Sequence, residues 1–527
     1  MTLKTISLVL AILVLAALPA SATVSIFLSS QGSQQPVLPG TRVAWTLFAA
    51  RSVQDTNTEA VDVVISMTVP TVLSNFTASG EQWNCSTSTS STNSTTVCGT
   101  SMTAATAFTK PMRVEFDAPA TTDGGRFVVP ATLATSLPNA HPSISAALIV
   151  NTFRTFAVTT ADDFGAGSLR DAIARANERC DFSVACLITF AGPMTIEPQS
   201  PLPAMTACNI TIDGGVAFNT SQDVRRPVEI SGTKAGFANG LEIRSGCGVT
   251  LRGLTVNNFA QNGILLAGTK ASNFPVQWAL SVEGCFIGTD TNASEARPNG
   301  LRGIAVESPF DSASIRNSTL SGNQRSGVAV WSASRTEIES CRIGVGREGR
   351  ALGNGASGIL INGGNASIHS AVAYNRDFGI AVGPDAQHVS AGVDGLFANG
   401  VQDYDWGLNG PTRTDPASRM PPVPQLIDAT YDPAKNRTIV RGILPAEGRH
   451  IGFHQYSVRI FESSGGRYLA QFPQINFSAT VTGDIPFTMN LTGDLRNRTL
   501  VGQTIYSQEI QEGDTDSSEI SESIVAH

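Results

Sequence analysis

The chain has 527 residues, of which 41% are hydrophobic and 15% charged, and it contains 49 glycines and 27 prolines. This length exceeds what one hydrophobic core organises, so about three folded domains are predicted, and the composition argues against a disordered chain. The formal net charge of −8 and the lack of a basic run argue against a nucleic-acid partner, whose phosphates would require clustered Lys and Arg.

The first predicted element is a secretory signal in residues 1–22. Lys4 precedes an apolar run over residues 6–18, and the small residues 20–22 (Ala-Ser-Ala) form a cleavage site. A retained membrane anchor is the alternative, but the run is short for a bilayer span and no later stretch is apolar enough to cross a membrane. We therefore expect an extracellular or cell-surface protein without a membrane span once the signal is removed.

Residues 23–153 alternate apolar and polar positions in runs such as TRVAWTLFAA and AVDVVISMTV. This alternation is typical of strands in a two-layer β-sandwich. The segment that contains WNC and VC, followed by a strand, resembles bacterial surface repeats with an immunoglobulin-like sandwich. That resemblance implies a spacer or a binding module.

The eight cysteines are expected to lie in an oxidising compartment because the chain is predicted to be exported. Two pairs enclose short loops and are predicted disulfides: Cys85 with Cys98, and Cys180 with Cys186. A zinc site is the alternative, but no C-x-x-C or H-x-x-x-H spacing supports it. The sequence leaves the pairing of Cys208 and Cys247 open.

A short amphipathic helix is predicted near residues 167–177, within GAGSLRDAIARAN. Its apolar residues lie at helical spacing on one face: Leu169, Ala172, Ile173 and Ala176. Since an open solenoid end exposes strand edges and an apolar core, we interpret this helix as the cap of the repetitive region that follows.

Residues 154–415 contain a repeat. Strands of the pattern Gly-apolar-x-apolar begin at Gly263, Gly303, Gly327, Gly358 and Gly379, at spacings of 40, 24, 31 and 21 residues. A unit of about 21 to 24 residues with loop insertions fits one coil of a parallel β-helix. A leucine-rich repeat would need a leucine frame and an asparagine ladder, which we do not find in the sequence, and a β-propeller would need blade-length repeats.

A second set of strands aligns its inward-facing residues in two columns. These columns are Leu251, Val282, Ile315, Ile338 and Ile368, and then Leu254, Cys285, Ser318, Cys341 and Ala371. Cys285 and Cys341 are two coils apart, about 9.6 Å, which is too far for a disulfide. Both are therefore predicted to be buried thiols.

Residues 416–527 are predicted to form a second small β-sandwich, with strand runs such as TIVRGIL and IPFTMNL. The acidic terminus is expected to fray. The predicted fold class is therefore all-β, with a capped parallel β-helix between two β-sandwiches.

Residues 155–525 together resemble secreted bacterial right-handed β-helix proteins of the CSLREA-domain type. The resemblance is carried by FGAGSLRDAIARAN, CLITF and ITIDG, by the insertions IGTDTNASEARPNG and IGVGREGRALGNG, and by the closing GQTIYSQEIQEGDTDSSEIS. Gly167 stands where that family usually has a cysteine, and the junction at residues 397–416 lacks its aspartate-rich pattern. The resemblance implies a right-handed solenoid and an extracellular location more than any chemistry.

Chemistry on a β-helix would lie at its outward-facing positions. The first outward column alternates in charge, as Arg252, Glu283, Arg316, Glu339 and His369. We interpret it as stacked ion pairs rather than a catalytic cluster, which would concentrate one sign of charge. The second outward column is small and apolar, namely Leu265, Ala305, Ala329, Leu360 and Ala381. We expect a loop or domain to cover it, with an exposed contact stripe as the alternative.

Individual candidate residues are few. Trp331 lies beside the apolar column and is a candidate for stacking against a sugar or a partner protein. Asp403 and Asp405 would share one face of a strand and could hold a cation. No cofactor is predicted except calcium at such a pair. The candidate catalytic acids are Asp290, Glu307 and Asp311.

We interpret the chain as an exported binding, adhesion or structural protein with a glycan or surface protein as its partner. The alternative is a polysaccharide lyase or glycoside hydrolase that acts in the β-helix groove. Two or more carboxylates that converge within about 5 to 9.5 Å would favour the enzyme. The alternating charges favour a protein without enzymatic activity.

Overall fold

The computed structural model describes most of the chain. The described residues are 24–29, 36–51, 60–103, 108–119, 123–136, 144–216, 221–245, 247–268, 279–307, 312–333, 335–392, 395–408, 421–445, 454–462, 467–471, 475–477, 483–507, 515–518 and 521–527. The predicted signal at residues 1–22 and the candidate acid Asp311 lie outside them. Within the described residues, no helix has the length and apolar character needed to cross a membrane. The chain divides into two compact units, residues 1–155 with 183–186, and residues 156–182 with 187–527.

The first unit contains two antiparallel sheets. Its strands are β1 (Val24–Ser29), β2 (Arg42–Arg51), β3 (Val61–Pro70), β4 (Ser74–Ser79), β5 (Asn84–Thr89), β6 (Asn93–Met102), β7 (Met112–Asp117), β8 (Asp123–Thr135) and β9 (Ile144–Val158). The strand orders are β1-β2-β7-β4 and β5-β6-β3-β8-β9. Trp45 and Phe116 of one sheet and Ile65 of the other are buried in a shared core, because apolar residues alternate along each strand.

The helix predicted near residues 167–177 is α1 (Leu169–Arg179). Ser168 caps it by accepting a hydrogen bond from the backbone N–H of Asp171 at 3.1 Å. Its four predicted apolar residues are all buried. Arg170 and Asn177 donate hydrogen bonds to backbone carbonyls of residues 200–204, so the helix is joined to the first coil of the solenoid.

The solenoid is built from short parallel strands. They are β10 (Cys186–Phe190), β11 (Met194–Ile196), β12 (Ile210–Asp213), β13 (Val228–Ser231), β14 (Leu241–Ile243), β15 (Val249–Arg252), β16 (Leu254–Asn257), β17 (Ile264–Leu266), β18 (Leu280–Glu283), β19 (Phe286–Ile287), β20 (Ile304–Val306), β21 (Ser312–Arg316), β22 (Thr319–Leu320), β23 (Val328–Val330), β24 (Arg335–Ile343), β25 (Ile359–Ala373), β26 (Phe378–Ala391), β27 (Leu396–Phe397) and β28 (Gln402–Trp406). The predicted all-β parallel β-helix is confirmed.

Three parallel sheets form the faces of this solenoid. Sheet A contains β10, β12, β15, β18, β21, the first part of β24 and the later parts of β25 and β26. Sheet B contains β11, β13, β16, β19, β22, the ends of β24 and β25, and β27. Sheet C contains β14, β17, β20, β23, the starts of β25 and β26, and β28.

The predicted inward column of sheet A is confirmed. Leu251, Val282, Ile315, Ile338 and Ile368 pair in register from coil to coil and are fully buried. Apolar side chains of one strand therefore stack directly on those of the next, which is what the repeated pattern predicts.

The predicted place of Ala371 in the second inward column is wrong. Cys341 is opposite Ser370 rather than Ala371, because Arg342 pairs with Ala371 and the register shifts between Glu339 and Arg342. Ser340 is the extra residue, with a left-handed backbone at φ 55°. Counting equal steps along the sequence could not detect this one-residue bulge.

An asparagine ladder, contrary to the expectation from the sequence, runs along the turn between sheets B and C. Five asparagines stack there in successive coils, each donating through Nδ2 to Oδ1 of the next at 2.9–3.0 Å: Asn299, Asn323, Asn354, Asn375 and Asn399. The ladder gives buried polar backbone groups of the turn their partners. The expected absence of a ladder is therefore wrong, although the β-helix that it helped to favour is confirmed.

The remaining strands form two antiparallel sheets. They are β29 (Gln425–Asp432), β30 (Arg437–Leu444), β31 (His454–Glu462), β32 (Arg467–Gln471), β33 (Ile475–Phe477), β34 (Ile485–Thr492), β35 (Thr499–Ser507), β36 (Thr515–Ser517) and β37 (Ile524–Val525). Val440, Val458 and Leu491 belong to their shared core. The expected fraying of the terminus is wrong, since β37 pairs with β35 and the His527 N–H donates to the Ala429 carbonyl at 2.9 Å.

The cysteines fall into bonded and free sets. The predicted disulfide Cys85–Cys98 joins β5 to β6, and Cys180 and Cys186 are both disulfide-bonded. Cys208 and Cys247, whose pairing the sequence left open, form another disulfide. The free and buried cysteines are Cys285 and Cys341, as predicted.

Candidate functional site

The outward face of sheet A carries the predicted charged column. Strand register stacks Asp213, Arg252, Glu283, Arg316 and Glu339 in successive coils and places His369 above them. A parallel column of smaller polar side chains lies two residues back along each strand, namely Thr250, Ser281 and Ser314. Sheet A therefore presents charged groups beside hydroxyls, spaced at about 4.8 Å from coil to coil.

The arginines of this column are paired with carboxylates other than Glu283. Arg252 lies 2.5 Å from Asp213, on the side away from Glu283. Arg316 lies 2.7 Å from Glu337 and 3.3 Å from Glu339, again on the far side. Glu283 thus forms no ion pair with any residue that the structure describes, although an arginine occupies each neighbouring coil. Of the ion pairs predicted between neighbours in this column, only Arg316–Glu339 is formed among the described residues.

Burial raises the pKa of the Glu283 carboxyl above its ordinary value. The positive charges of Arg252 and Arg316 oppose this shift, and the negative charge of Asp213 adds to it. A carboxyl group with a raised pKa accepts hydrogen bonds when ionised and donates one when protonated. Glu283 is therefore a half-buried polar group that is available to a ligand lying across sheet A.

Sheet B is covered by its own loops. The Arg226 N–H donates to the Thr291 carbonyl at 2.9 Å, and the Arg347 N–H donates to the Ala293 carbonyl at 2.7 Å. The Arg226 side chain is buried and its guanidinium lies 4.5 Å from the centre of the Phe286 ring, which faces outward on sheet B. Residues 221–227, 289–297 and 345–352 thus form a layer over this sheet, which leaves sheets A and C as candidate surfaces.

Trp331 lies at the end of β23 on sheet C and is 39% exposed. The Arg302 guanidinium stacks 5.1 Å from the centre of its ring. Burial lowers the pKa of Arg302, Glu307 opposes that shift, and Arg325 adds to it. The structure therefore brings the binding candidate Trp331 near the exposed acid candidate Glu307, and the Arg302 guanidinium interacts with both.

Three residues of the small apolar column of sheet C are buried, whereas Leu265 and Leu360 are half-buried. Ala305, Ala329 and Ala381 are at most 1% exposed. Arg302 precedes β20, which contains Ala305, and Trp331 follows β23, which contains Ala329. Because these two strands are neighbours in register, the stacked side chains of Arg302 and Trp331 meet over the two alanines. This column is not an open contact stripe.

The acid candidate Asp290 has structural partners. Asp290 Oδ1 accepts hydrogen bonds from the backbone N–H groups of Ser294, at 2.7 Å, and Glu295, at 2.9 Å. Those contacts hold the turn after β19 in sheet B, whereas Glu307 follows β20 in sheet C. Asp290 and Glu307 thus follow strands of two different sheets.

Asp403 ends the asparagine ladder. Its Oδ1 accepts hydrogen bonds from the backbone N–H of Asn399 at 3.3 Å and from Asn399 Nδ2 at 2.7 Å. Asp405 is fully buried and continues the column of Ala381. In the part of the chain that the structure describes, no three His, Cys, Asp or Glu side chains form a group that could hold a metal ion.

Glu283 is a predicted member of the charged column but not one of the functional candidates predicted from the sequence. The signal available was its position between two arginines. Only the side-chain directions show that both arginines pair elsewhere, and those directions do not follow from the repeat.

A match to one family model agrees with this fold. A family model described as a right-handed β-helix region matches residues 239–393. A comparison with curated proteins finds no match. Among solved structures, the chain is similar to a crystal structure of the Agl-KA catalytic domain, with 10% identity, a TM-score of 0.25, and coverage of 73% of this chain and 80% of that one.

Proposed function

We propose that this protein is an exported β-helix protein that binds a neutral polysaccharide along the outward face of sheet A. The observation that carries the proposal is Glu283, a half-buried carboxylate without an ion-pair partner among the described residues, in the middle of an otherwise paired charged column. Partial burial removes some of the water from this carboxylate, and hydroxyl groups of a bound sugar would replace those hydrogen bonds.

The charges of sheet A favour a neutral glycan over a uronic or sulfated one. Arg252 and Arg316 are both engaged by carboxylates, so a ligand anion would have to break an existing ion pair. Sugar hydroxyls can instead donate to Glu283 and exchange hydrogen bonds with Ser281 and Thr250, which lie beside it in the adjacent column.

An extracellular location suits both the disulfides and the proposed ligand. Cys85–Cys98 and Cys208–Cys247 are bonded, as are Cys180 and Cys186, and such bonds persist in oxidising compartments. Together with the signal-like residues 1–22, they support export, and a solenoid face several coils long suits binding or adhesion to an extended polymer.

The test is affinity electrophoresis of the purified protein in gels that contain laminarin, dextran, xyloglucan or polygalacturonate. We expect retardation by at least one neutral polymer and at least a tenfold weaker apparent affinity for Glu283→Gln, which keeps the side-chain shape. Glu348→Gln is the matched control, because Glu348 lies in the layer over sheet B and its side chain is 78% exposed. Retardation by polygalacturonate alone would contradict the proposal.

Trp331→Ala separates the two candidate faces. If binding depends on sheet A, this variant retains it, because Trp331 lies on sheet C. Loss of binding in Trp331→Ala with full binding in Glu283→Gln would move the site to the Trp331–Arg302 surface and refute the assignment to sheet A.

A second candidate function, glycoside hydrolysis, is favoured by one observation on the same face. Glu283 and Glu339 are two coils apart, about 9.6 Å along the stack, which is near the upper end of the carboxyl separation in inverting glycosidases. The raised pKa of Glu283 would suit the acid that protonates the leaving oxygen. Release of reducing sugar from a bound polymer, lost in both Glu283→Gln and Glu339→Gln, would establish hydrolysis; binding without release would refute it.

A further inference from the structure

The corner between sheets A and B changes at one coil. In four successive coils the corner residue has a left-handed backbone, with φ between 49° and 64°: Gly253, Gly284, Asn317 and Ser340. The next coil lacks this residue, because His369 pairs with Glu339 and Ala371 pairs with Arg342. Ser340 therefore has no counterpart above it.

An open pocket of about 450 Å³ lies at this corner. His369 and Gly392 contribute to one wall, and Ala371 contributes apolar surface. The corner residue missing above Ser340 accounts for the space, since the chain of that coil passes from His369 to Ala371 without a left-handed residue. The pocket is thus a product of the one-residue difference between adjacent coils.

The opposite wall comes from a distant loop. Gln222 Nε2 donates to the Ser340 carbonyl at 2.7 Å, and Gln222 Oε1 accepts from Thr319 Oγ1 at 3.2 Å. Next to Gln222, Asp223 forms an ion pair with Arg342 at 2.6 Å. These contacts fix both ends of the Gln222 amide and hold the loop in place, so the pocket has a preformed wall.

Size and lining favour one sugar ring. A volume of about 450 Å³ falls within the range of small-ligand pockets, and its surface combines a few polar groups with apolar patches. Arg342 is paired with Asp223, so an anion would have to break this ion pair in order to bind. The pocket, like sheet A, therefore favours a neutral sugar over an anion. The glycine at position 392 leaves room beside the His369 ring, because a Cβ there would lie 3.2 Å from His369 Cδ2.

We propose that this pocket binds the terminal ring of the neutral glycan. His369 joins the two parts, because it is both the last residue of the sheet A column and a lining residue of the pocket. The inference rests on the proposed function for the polymer, and it adds that the protein recognises a chain end as well as the chain.

The experiment is saturation-transfer NMR on the full protein with the methyl glycosides of glucose, galactose, mannose, xylose and N-acetylglucosamine. Ala371→Leu fills the pocket, and Gly392→Ala is a smaller change that presses on the exposed His369 ring and so preserves folding. The matched control is Ala356→Leu, at a half-buried alanine in the turn before sheet C.

We expect transfer to at least one glycoside in the native protein and in Ala356→Leu, with a decrease of at least fivefold in Ala371→Leu and Gly392→Ala. No transfer to any of the five, or undiminished transfer in both pocket variants, would overturn the inference. If Ala371→Leu abolishes transfer while Glu283→Gln leaves polysaccharide binding unchanged, the pocket is upheld and the assignment of the polymer to sheet A is refuted.

Discussion

Replacement of Asn354 by alanine tests how much the asparagine ladder stabilises the solenoid. Asn354 is 1% exposed. Its Oδ1 accepts hydrogen bonds from N and Nδ2 of Asn323, both at 3.0 Å, and its Nδ2 donates to the Leu320 carbonyl at 3.0 Å and to Asn375 Oδ1 at 2.9 Å. The variant removes all four of these bonds from the middle of the stack.

The partners of Asn354 differ in what they retain. Asn323 Nδ2 keeps the Ile287 carbonyl at 3.2 Å, the Leu320 carbonyl keeps the Gly344 N–H at 3.2 Å, and Asn375 Oδ1 keeps the backbone N–H of residue 354 at 3.2 Å. The backbone N–H of Asn323 loses its acceptor and stays buried. One such unsatisfied group costs about 2 kcal/mol and the void adds about 1 kcal/mol, so we expect a loss of about 3 kcal/mol.

The assay is urea unfolding at neutral pH, followed by circular dichroism. Asn292→Ala is the control, because Asn292 is a half-exposed asparagine of the loop over sheet B and its replacement should change the free energy of unfolding by less than about 0.5 kcal/mol. If Asn354→Ala also changes the free energy of unfolding by less than about 0.5 kcal/mol, the ladder does not stabilise the fold.

Three further changes test other parts of the solenoid. Arg226→Ala should release the loop over sheet B and speed its proteolytic cleavage, since the buried guanidinium donates to the carbonyls of Gly284 and Val224. Burial raises the pKa of the Cys285 and Cys341 thiols to about 11 and about 12, so iodoacetamide should modify neither in the native protein and both in unreduced protein in denaturant, as mass spectrometry would show. The hydrogen bond from Arg342 lowers the pKa of Asp223 to about 2, so its stabilising effect is complete above about pH 4 and is lost as the pH falls through 2; Asp223→Asn should lower the free energy of unfolding by about 1 kcal/mol or less at pH 7 and by nothing measurable at pH 2.

The solenoid could be predicted because its strands are short, parallel and in register. Ile315 and Ile338 occupy equivalent places in their coils, and the stacking that buries them repeats along the chain. The ladder was equally accessible, since Asn323 precedes Gly327 by four residues and Asn354 precedes Gly358 by the same interval. It was missed because the ladder was tied to leucine-rich repeats rather than to the turn that needs it.

The candidate site could be predicted only in part. The positions of Arg252 and Arg316 on either side of Glu283 follow from the repeat, but the choice of partner by each guanidinium depends on side-chain conformation. The wall of the pocket is less accessible still. Gln222 contacts Ser340 across 118 residues of chain, and no local pattern in residues 221–226 indicates that contact.

Asp403 offers the sharpest test between the ladder and a cation site. A ladder residue in the interior must both accept and donate, whereas the last one needs only to accept from Asn399, which a carboxylate does as well as an amide. Asp403→Asn should therefore change the free energy of unfolding by less than about 0.5 kcal/mol. Asn354→Asp places a carboxylate against the Leu320 carbonyl, so it should destabilise the protein by more than Asn354→Ala does. If instead added calcium raises the urea midpoint of the native protein and Asp403→Asn abolishes that rise, the carboxylate is a cation ligand and its place at the end of the ladder is secondary.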